Sequence, residues 1–220
     1  VSTNQPTMNI ELVPAATRIG FMGPHGTFTE QALLGQPDLA AADTRPFDSI
    51  PDVLNGLVTG DVDLGFVPIE NAIEGAVNVT QDTLAFDLDV RIQREVVLDV
   101  QLNLLALPGT QLTDIHTVVS FPVAVAQCRN FLREQLPDAE IQAATSTAEA
   151  ARQVGEQRLE GVATISNPLA AELYGLEAVA EAVEDHTGNQ TRFLLLAREG
   201  VPAPTGHDKT SVVVFQRANE

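Results

Sequence analysis

The chain has no tryptophan, one tyrosine, one cysteine and only 12 basic residues against 30 acidic ones. Each shortage removes a class of function. Without an aromatic platform there is nothing on which successive bases could stack. A net charge of −18 repels a duplex and an anionic membrane surface alike, so neither nucleic acid nor membrane is expected as a partner. Cys128 alone closes no internal disulfide, which suits a reducing compartment. No apolar run reaches the length of a membrane span, and residues 1–17 lack the charged and apolar regions of a signal peptide. A soluble cytoplasmic chain with a loose tail over residues 1–17 is the expectation.

Chemistry is narrowed in the same way. His25, His116, His186 and His207 stand far apart, with no second His or Cys at ligand spacing, so no metal is expected. There is no Walker loop, dinucleotide fingerprint or G-x-S-x-G elbow, and Cys128 falls inside a helical stretch. No cofactor is expected. Hydroxyls, amides, carboxylates and backbone dipoles remain.

What is present is a globular α/β pattern. Hydrophobic residues at 44% and charged residues at 19% are ordinary for a packed chain, and 220 residues suffice for one large domain or two lobes. A unit of strand, hydroxyl-bearing turn and helix recurs, with expected caps at Thr27, Ser49, Ser120, Ser146 and Ser166. Thr27-Phe28-Thr29-Glu30 and Ser146-Thr147-Ala148-Glu149 have the spacing of capping boxes. The helix after Phe121-Pro122 is expected to run through Gln127 to Leu136, with Gln127 two turns from Ser120 on one face. Residues 90–107 form a long extended stretch, as a strand crossing between lobes would.

Two places carry polar residues at strand ends. Leu64-Gly65-Phe66-Val67-Pro68-Ile69 reads as an apolar strand ending in Glu70-Asn71; an Asx-type turn explains these two equally well. Asn189-Gln190-Thr191-Arg192-Phe193 opens the wholly apolar run Leu194-Leu195-Leu196-Ala197, a strand buried on both faces. Alone, this is also a solvated loop with an outward arginine. At the rim of an α/β sheet it is where ligands gather.

Taken in order, these segments resemble prephenate dehydratase. The resemblance rests on Gly23-Pro24-His25-Gly26-Thr27-Phe28, Pro68-Ile69-Glu70-Asn71, Ser120 with Gln127-Cys128, Ser146 to Ala151, Ala170 to Leu176, and Asn189 to Phe193. It implies an α/β fold, two-lobed and periplasmic-binding-protein-like (type II), with the active site in the interlobe cleft. The lobes are expected at 18–96 with 189–200, and at 97–188, followed by a linker over 201–208. A C-terminal ACT domain that binds phenylalanine is usual in the family, and Lys209 to Phe215 is expected to be its opening strand. The rest of that domain is missing from this chain, so feedback by phenylalanine is expected to be lost. The family also implies a homodimer or homotetramer.

The activity implied is conversion of prephenate to phenylpyruvate, water and CO2. By resemblance, Thr191 donates to the leaving hydroxyl, with Glu70 as a candidate proton source. Asn71, Ser120 and Gln127 orient the reacting groups. Thr27, Phe28, Ser146, Thr147, Asn189, Arg192 and Phe193 are expected to bind the dicarboxylate, with a structural ion pair as the equal alternative for Arg192. Two positions depart from the family: Ala72 replaces a frequent Ser or Thr, and Phe121 replaces a common His before Pro122. Arogenate, which carries an amine in place of the keto group, is an alternative substrate, and a non-catalytic cleft for a small acid is the competing class.

Overall fold

The computed structural model describes residues 13–214. Its first part contains β1 (Arg18–Met22), α1 (Phe28–Leu34), α2 (Pro37–Ala40), β2 (Asp43–Phe47), α3 (Ile50–Thr59), β3 (Leu64–Asn71), β4 (Gly75–Ala76) and α4 (Asn78–Asp82). After a π-helical turn over Thr83–Asp87 come β5 (Arg91–Asp99) and β6 (Asn103–Ala106). The second part adds β7 (Thr117–Ser120), α5 (Pro122–Gln127), α6 (Arg129–Gln135), β8 (Glu140–Ala143), α7 (Thr147–Glu156), β9 (Val162–Ser166), α8 (Pro168–Tyr174) and β10 (Glu177–Ala180). The last strand is β11 (Gln190–Ala197).

These strands form two sheets built to one plan. The first has the order β2-β1-β3-β11-β5, with β4 hydrogen-bonded to β3; the second has the order β8-β7-β9-β6-β10. In each, three parallel strands are followed by an antiparallel one, and the fifth runs antiparallel to the fourth. The fourth strand is the informative one. β11 enters the first sheet after the whole second sheet has been made, and β6 enters the second before its parallel strands begin. The chain therefore passes between sheets twice, over residues 100–102 and 181–189. This is the two-lobed α/β architecture.

Helices cover both faces of each sheet, which is why β11 reads as an unbroken apolar run. Phe21, Leu33, Leu39, Phe66, Phe193 and Leu195 pack on one face of the first sheet, and Val53, Leu57, Val67, Leu194 and Leu196 on the other. In the second lobe, Leu104, Val118, Cys128, Leu132 and Ile165 form one core, and Leu105, Val119, Val154 and Ala170 the other.

Several local expectations change. Thr27, Ser49 and Ser146 do cap their helices, accepting from Glu30, Asp52 and Glu149 N–H. Ser166 does not: it ends β9, and Asn167 caps α8 by accepting from Ala170 N–H. Ser120 is likewise the last residue of β7, and its hydroxyl donates to Ile165 O at 2.7 Å. Proline at the first helical position already removes one N–H that would need a cap. Neither capping box closes, because Glu30 turns to Gly26 and His25, and Glu149 to Arg152 and Gln153. The helix expected from Pro122 to Leu136 is interrupted at Cys128, and the crossing stretch is two strands rather than one. Residues 209–214 form no strand, as a segment without a neighbouring strand gains no ladder bonds. Phe215 lies outside the described residues. Among the described residues no helix is long and apolar enough to cross a membrane.

Candidate active site

The segments that follow β1, β3 and β9 reach the other lobe, and a bulge decides which side chains gather at the end of β3. Along β11, Thr191 pairs with Asn71 and Arg192 with Glu70, but Phe193 pairs with Pro68, leaving Ile69 unmatched. An extra residue reverses the alternation of every side chain beyond it. Asn71 thereby shares the face of Thr191, and Glu70 shares the opposite face with Arg192.

On the Thr191 face the amides form a closed circuit. Asn71 Oδ1 accepts from Ile73 N–H and Glu74 N–H, both at 2.9 Å. Its Nδ2 donates to Thr191 Oγ1 and to Asn189 Oδ1, both at 2.8 Å. Asn189 Nδ2 donates to Gln127 Oε1 at 3.2 Å, and Gln127 Nε2 donates to Glu74 Oε1 at 3.2 Å. Asn71 and Glu74 belong to the first lobe, Gln127 to α5 of the second, and Asn189 to the returning crossover. Asn189 is 4% exposed, so its bonds lie where water competes little.

The polarity of this circuit follows from its ends. Backbone N–H groups only donate, so they force the oxygen of Asn71 towards them and its NH2 towards Thr191. Thr191 Oγ therefore accepts from Asn71 and keeps its own proton for another partner. What the arrangement offers is a hydrogen-bond donor at the rim of the first sheet, with no base bonded to it among the described residues.

The other expected site residues divide. Arg192 donates to Glu70 Oε2 at 2.7 Å and to Glu95 Oε2 at 2.6 Å. These carboxylates, Glu95 foremost, raise the guanidinium above its ordinary pKa. Glu70 and Arg192 thus form an ion pair on the face turned away from Thr191. Phe193 is 1% exposed and stacks on Phe66 with ring centroids 5.2 Å apart; it is a core residue. Ser120 is wholly buried with its proton committed to Ile165 O. Thr27 is buried as a cap, and Phe28 reaches across to pack on the Leu104–Cys128 core of the second lobe. Ser146 and Thr147 begin α7. Ala72 contributes its N–H to Gln190 O, and Phe121 precedes α5 without a side-chain cap bond.

Two features escape a reading of the sequence. One is Glu74, which sits in a polar turn and gains meaning only through Gln127, 53 residues away. The other is a contact between the first loop and α8. Asn167 Nδ2 donates to Gly26 O at 3.0 Å and Tyr174 OH to His25 O at 2.7 Å. Glu30, 4% exposed, holds that loop by accepting from Gly26 N–H at 2.6 Å, with His25 Nδ1 on its other oxygen. A φ of 85° at Gly26 and a Tyr174 ring 3.1 Å from where a Cβ would stand leave room for glycine alone. The Gly-x-x-x-Glu spacing is the one available signal for this clasp. Beside Gln127 and Glu74 opens a cleft of about 290 Å³, lined also by Val123, Asn130, Asp185 and His186. Among the described residues no group of three or more His, Cys, Asp or Glu could hold a metal ion.

Fold and site together define a two-lobed α/β protein in which Asn71, Asn189 and Thr191 of the first sheet's rim meet Gln127 of the second lobe. The family model of prephenate dehydratase matches residues 19–201, and the chain belongs to that family. It is 40% identical over 207 residues to the prephenate dehydratase of Mycobacterium marinum, which covers 90% of this chain and 65% of that protein. The crystal structure of prephenate dehydratase from Arthrobacter aurescens in complex with L-Phe is similar at 37% identity and a TM-score of 0.78, covering 86% of this chain and 63% of the other. A quorum-quenching acylase, GqqA, is similar at 28% identity and a TM-score of 0.73, with 85% and 66% covered. The chain thus spans just under two thirds of the M. marinum and A. aurescens proteins.

Proposed function

We propose that this chain carries the catalytic part of a prephenate dehydratase, and that Thr191 is the donor to the departing hydroxyl. In the reaction the ring carbon–oxygen bond breaks with its electron pair leaving on oxygen. The bond to the ring carboxylate breaks as CO2 departs, and its pair enters the ring, which becomes aromatic. A proton joins the departing hydroxide as water. No oxidant or nucleophile is consumed.

The observation that supports this reading is the orientation of Thr191. A hydroxyl that accepts from Asn71 at 2.8 Å has its own proton available, and a preplaced donor to developing negative charge is what hydroxide departure requires. A threonine hydroxyl is too weak an acid to supply the proton outright, so it acts as donor or relay. An attacking hydroxyl, as an acylase would need, calls for a base in the position that the Asn71 NH2 occupies.

The substrate is a dianion approaching a chain of net charge −18. With Arg192 engaged by two carboxylates, its carboxylates rely on backbone N–H groups at Thr27–Phe28 and Ser146–Thr147 and on the side-chain amides of the cleft. The setting inferred from the resemblance is a homo-oligomer in the cytoplasm. The test is Thr191→Ala, assayed with prephenate near neutral pH by the absorbance of phenylpyruvate in alkali. Loss of one such donor lowers kcat about 10²–10³-fold. A variant with the turnover of the parent removes Thr191 from the chemistry.

A further inference from the structure

We infer that Glu74 is a positioning residue, whose carboxylate orients Gln127 and Asn189 and so supports the Asn71 amide that donates to Thr191. This inference rests on the proposed role of Thr191. Its ground is that the circuit has one sense throughout. Glu74 N–H donates to Asn71, Asn71 to Asn189, Asn189 to Gln127, and Gln127 returns to the Glu74 carboxylate. A side-chain amide can turn over, exchanging its donor for its acceptor, so Asn189 and Gln127 have no intrinsic direction. Direction is imposed at two points: by backbone N–H groups that cannot accept, and by an ionised carboxylate that cannot donate. Both belong to the turn after β3. Bonds arranged head to tail polarise one another, so the acceptor at Glu74 strengthens the chain as far as Asn71.

Glu74 accepts from Gln127 through its carboxylate and lines the cleft beside it, with no hydrogen bond to Thr191 among the described residues. Its side chain is exposed on the surface of the first lobe, and its hydrogen-bond partner Gln127 belongs to the second. The same bond therefore depends on how the lobes meet. Separation of the lobes would release Gln127 from Glu74 and leave Asn189 with only its bond from Asn71. The support that Asn71 receives from the second lobe lasts only while Gln127 stays on Glu74.

Two substitutions test this. Glu74→Lys replaces an acceptor by a group that can only donate. Gln127 and then Asn189 must turn over, and the reversal ends against Asn71, whose oxygen is pinned by two N–H groups. Glu74→Gln keeps an acceptor oxygen and removes the charge. The expected result is a fall in kcat of about tenfold or more for Glu74→Lys, with most of kcat recovered in Glu74→Gln. KM reports separately any attraction of the dianion by the added lysine. The side-chain 1H–15N resonances of Asn71 and Asn189 shift in Glu74→Lys and hold their positions in Glu74→Gln, whether or not turnover is measured. Parental kcat in Glu74→Lys, alongside an inactive Thr191→Ala, overturns the role of Glu74 and leaves the proposed function standing. An equal loss in both Glu74 variants overturns it too, since charge rather than acceptor direction then matters. An active Thr191→Ala overturns the reading beneath it, and the amide resonances still decide whether Glu74 directs the circuit.

Discussion

Replacing Asn71 by Asp changes one NH2 for one oxygen at nearly constant shape, and the circuit determines the consequence. One carboxylate oxygen keeps the N–H groups of Ile73 and Glu74. The other takes the place of Nδ2, 2.8 Å from both Asn189 Oδ1 and Thr191 Oγ1. Asn189 and Gln127 can turn over to donate the other way, but Gln127 then sets an oxygen 3.2 Å from Glu74 Oε1. One bond of the circuit is lost, costing about 0.5–1.5 kcal/mol of stability, so the variant is folded at room temperature. Thr191 meanwhile donates to the introduced carboxylate and has no proton for a substrate. Loss of a single donor to the transition state costs about 2.7–4 kcal/mol, or 10²–10³ in kcat. The double variant Asn71→Asp, Glu74→Gln separates the two effects. The introduced glutamine can present its NH2 to the reversed Gln127, restoring the circuit and the melting temperature. Thr191 stays committed to the introduced aspartate, and kcat remains low. Steady-state phenylpyruvate formation and a thermal melt of each variant are the assays. An Asn71→Asp chain with kcat within about threefold of the parent would refute the argument that hydroxyl orientation controls turnover, given the magnitude expected for one donor.

Two further predictions concern the frame around the site. Asp38 accepts from Arg94 at 2.8 and 2.9 Å and from Val13 N–H at 3.1 Å, with side chains 8% and 12% exposed. The guanidinium holds its carboxyl down to about 2, against an ordinary 3.8, equivalent to about 2.5 kcal/mol. Asp38→Asn also leaves Arg94 buried without its counter-charge, for a total of about 3–5 kcal/mol and a melting temperature about 6–20 °C lower. Because the folded pKa is the lower one, the stabilisation is complete above the unfolded value and fades as pH falls towards 2. The two melting curves should therefore converge in acid; a constant gap would show that the pair is not its cause. Cys128 is wholly buried, and its thiol is pushed up to about 12 by burial, with Glu184 and Asp185 adding to the effect. A thiol reagent near neutral pH should find no group in the native chain and one in denaturant; prompt native labelling would contradict the packing of α5 and α6.

Much of the fold was legible because it depends on neighbours in the chain. The apolar runs of β1, β3 and β11, the hydroxyl caps at Thr27, Ser49 and Ser146, and the glycine that ends α8 are local matters of burial and hydrogen bonding. Caps at Ser120 and Ser166 were misread because a proline start satisfies a helix without them, and Asn167 competes one residue later. The site was legible as a set of residue types. Which of them meet was not, since Glu70 and Asn71 are adjacent in sequence and differ only in face.

By itself, then, the sequence determined that the chain is acidic and α/β, and that Asn71 and Thr191 stand at the ends of apolar strands, with Asn189 just before the second and Gln127 inside a longer helix; the two lobes came from the resemblance. Tertiary structure decided that these four share one circuit, that Arg192 and Glu70 turn away together, and that Glu74 closes the ring. The physical reason lies in Ile69. One unpaired residue in the β3–β11 register reverses the faces of all the residues beyond it. A register is a property of two strands about 120 residues apart, set by the packing of both and written in neither.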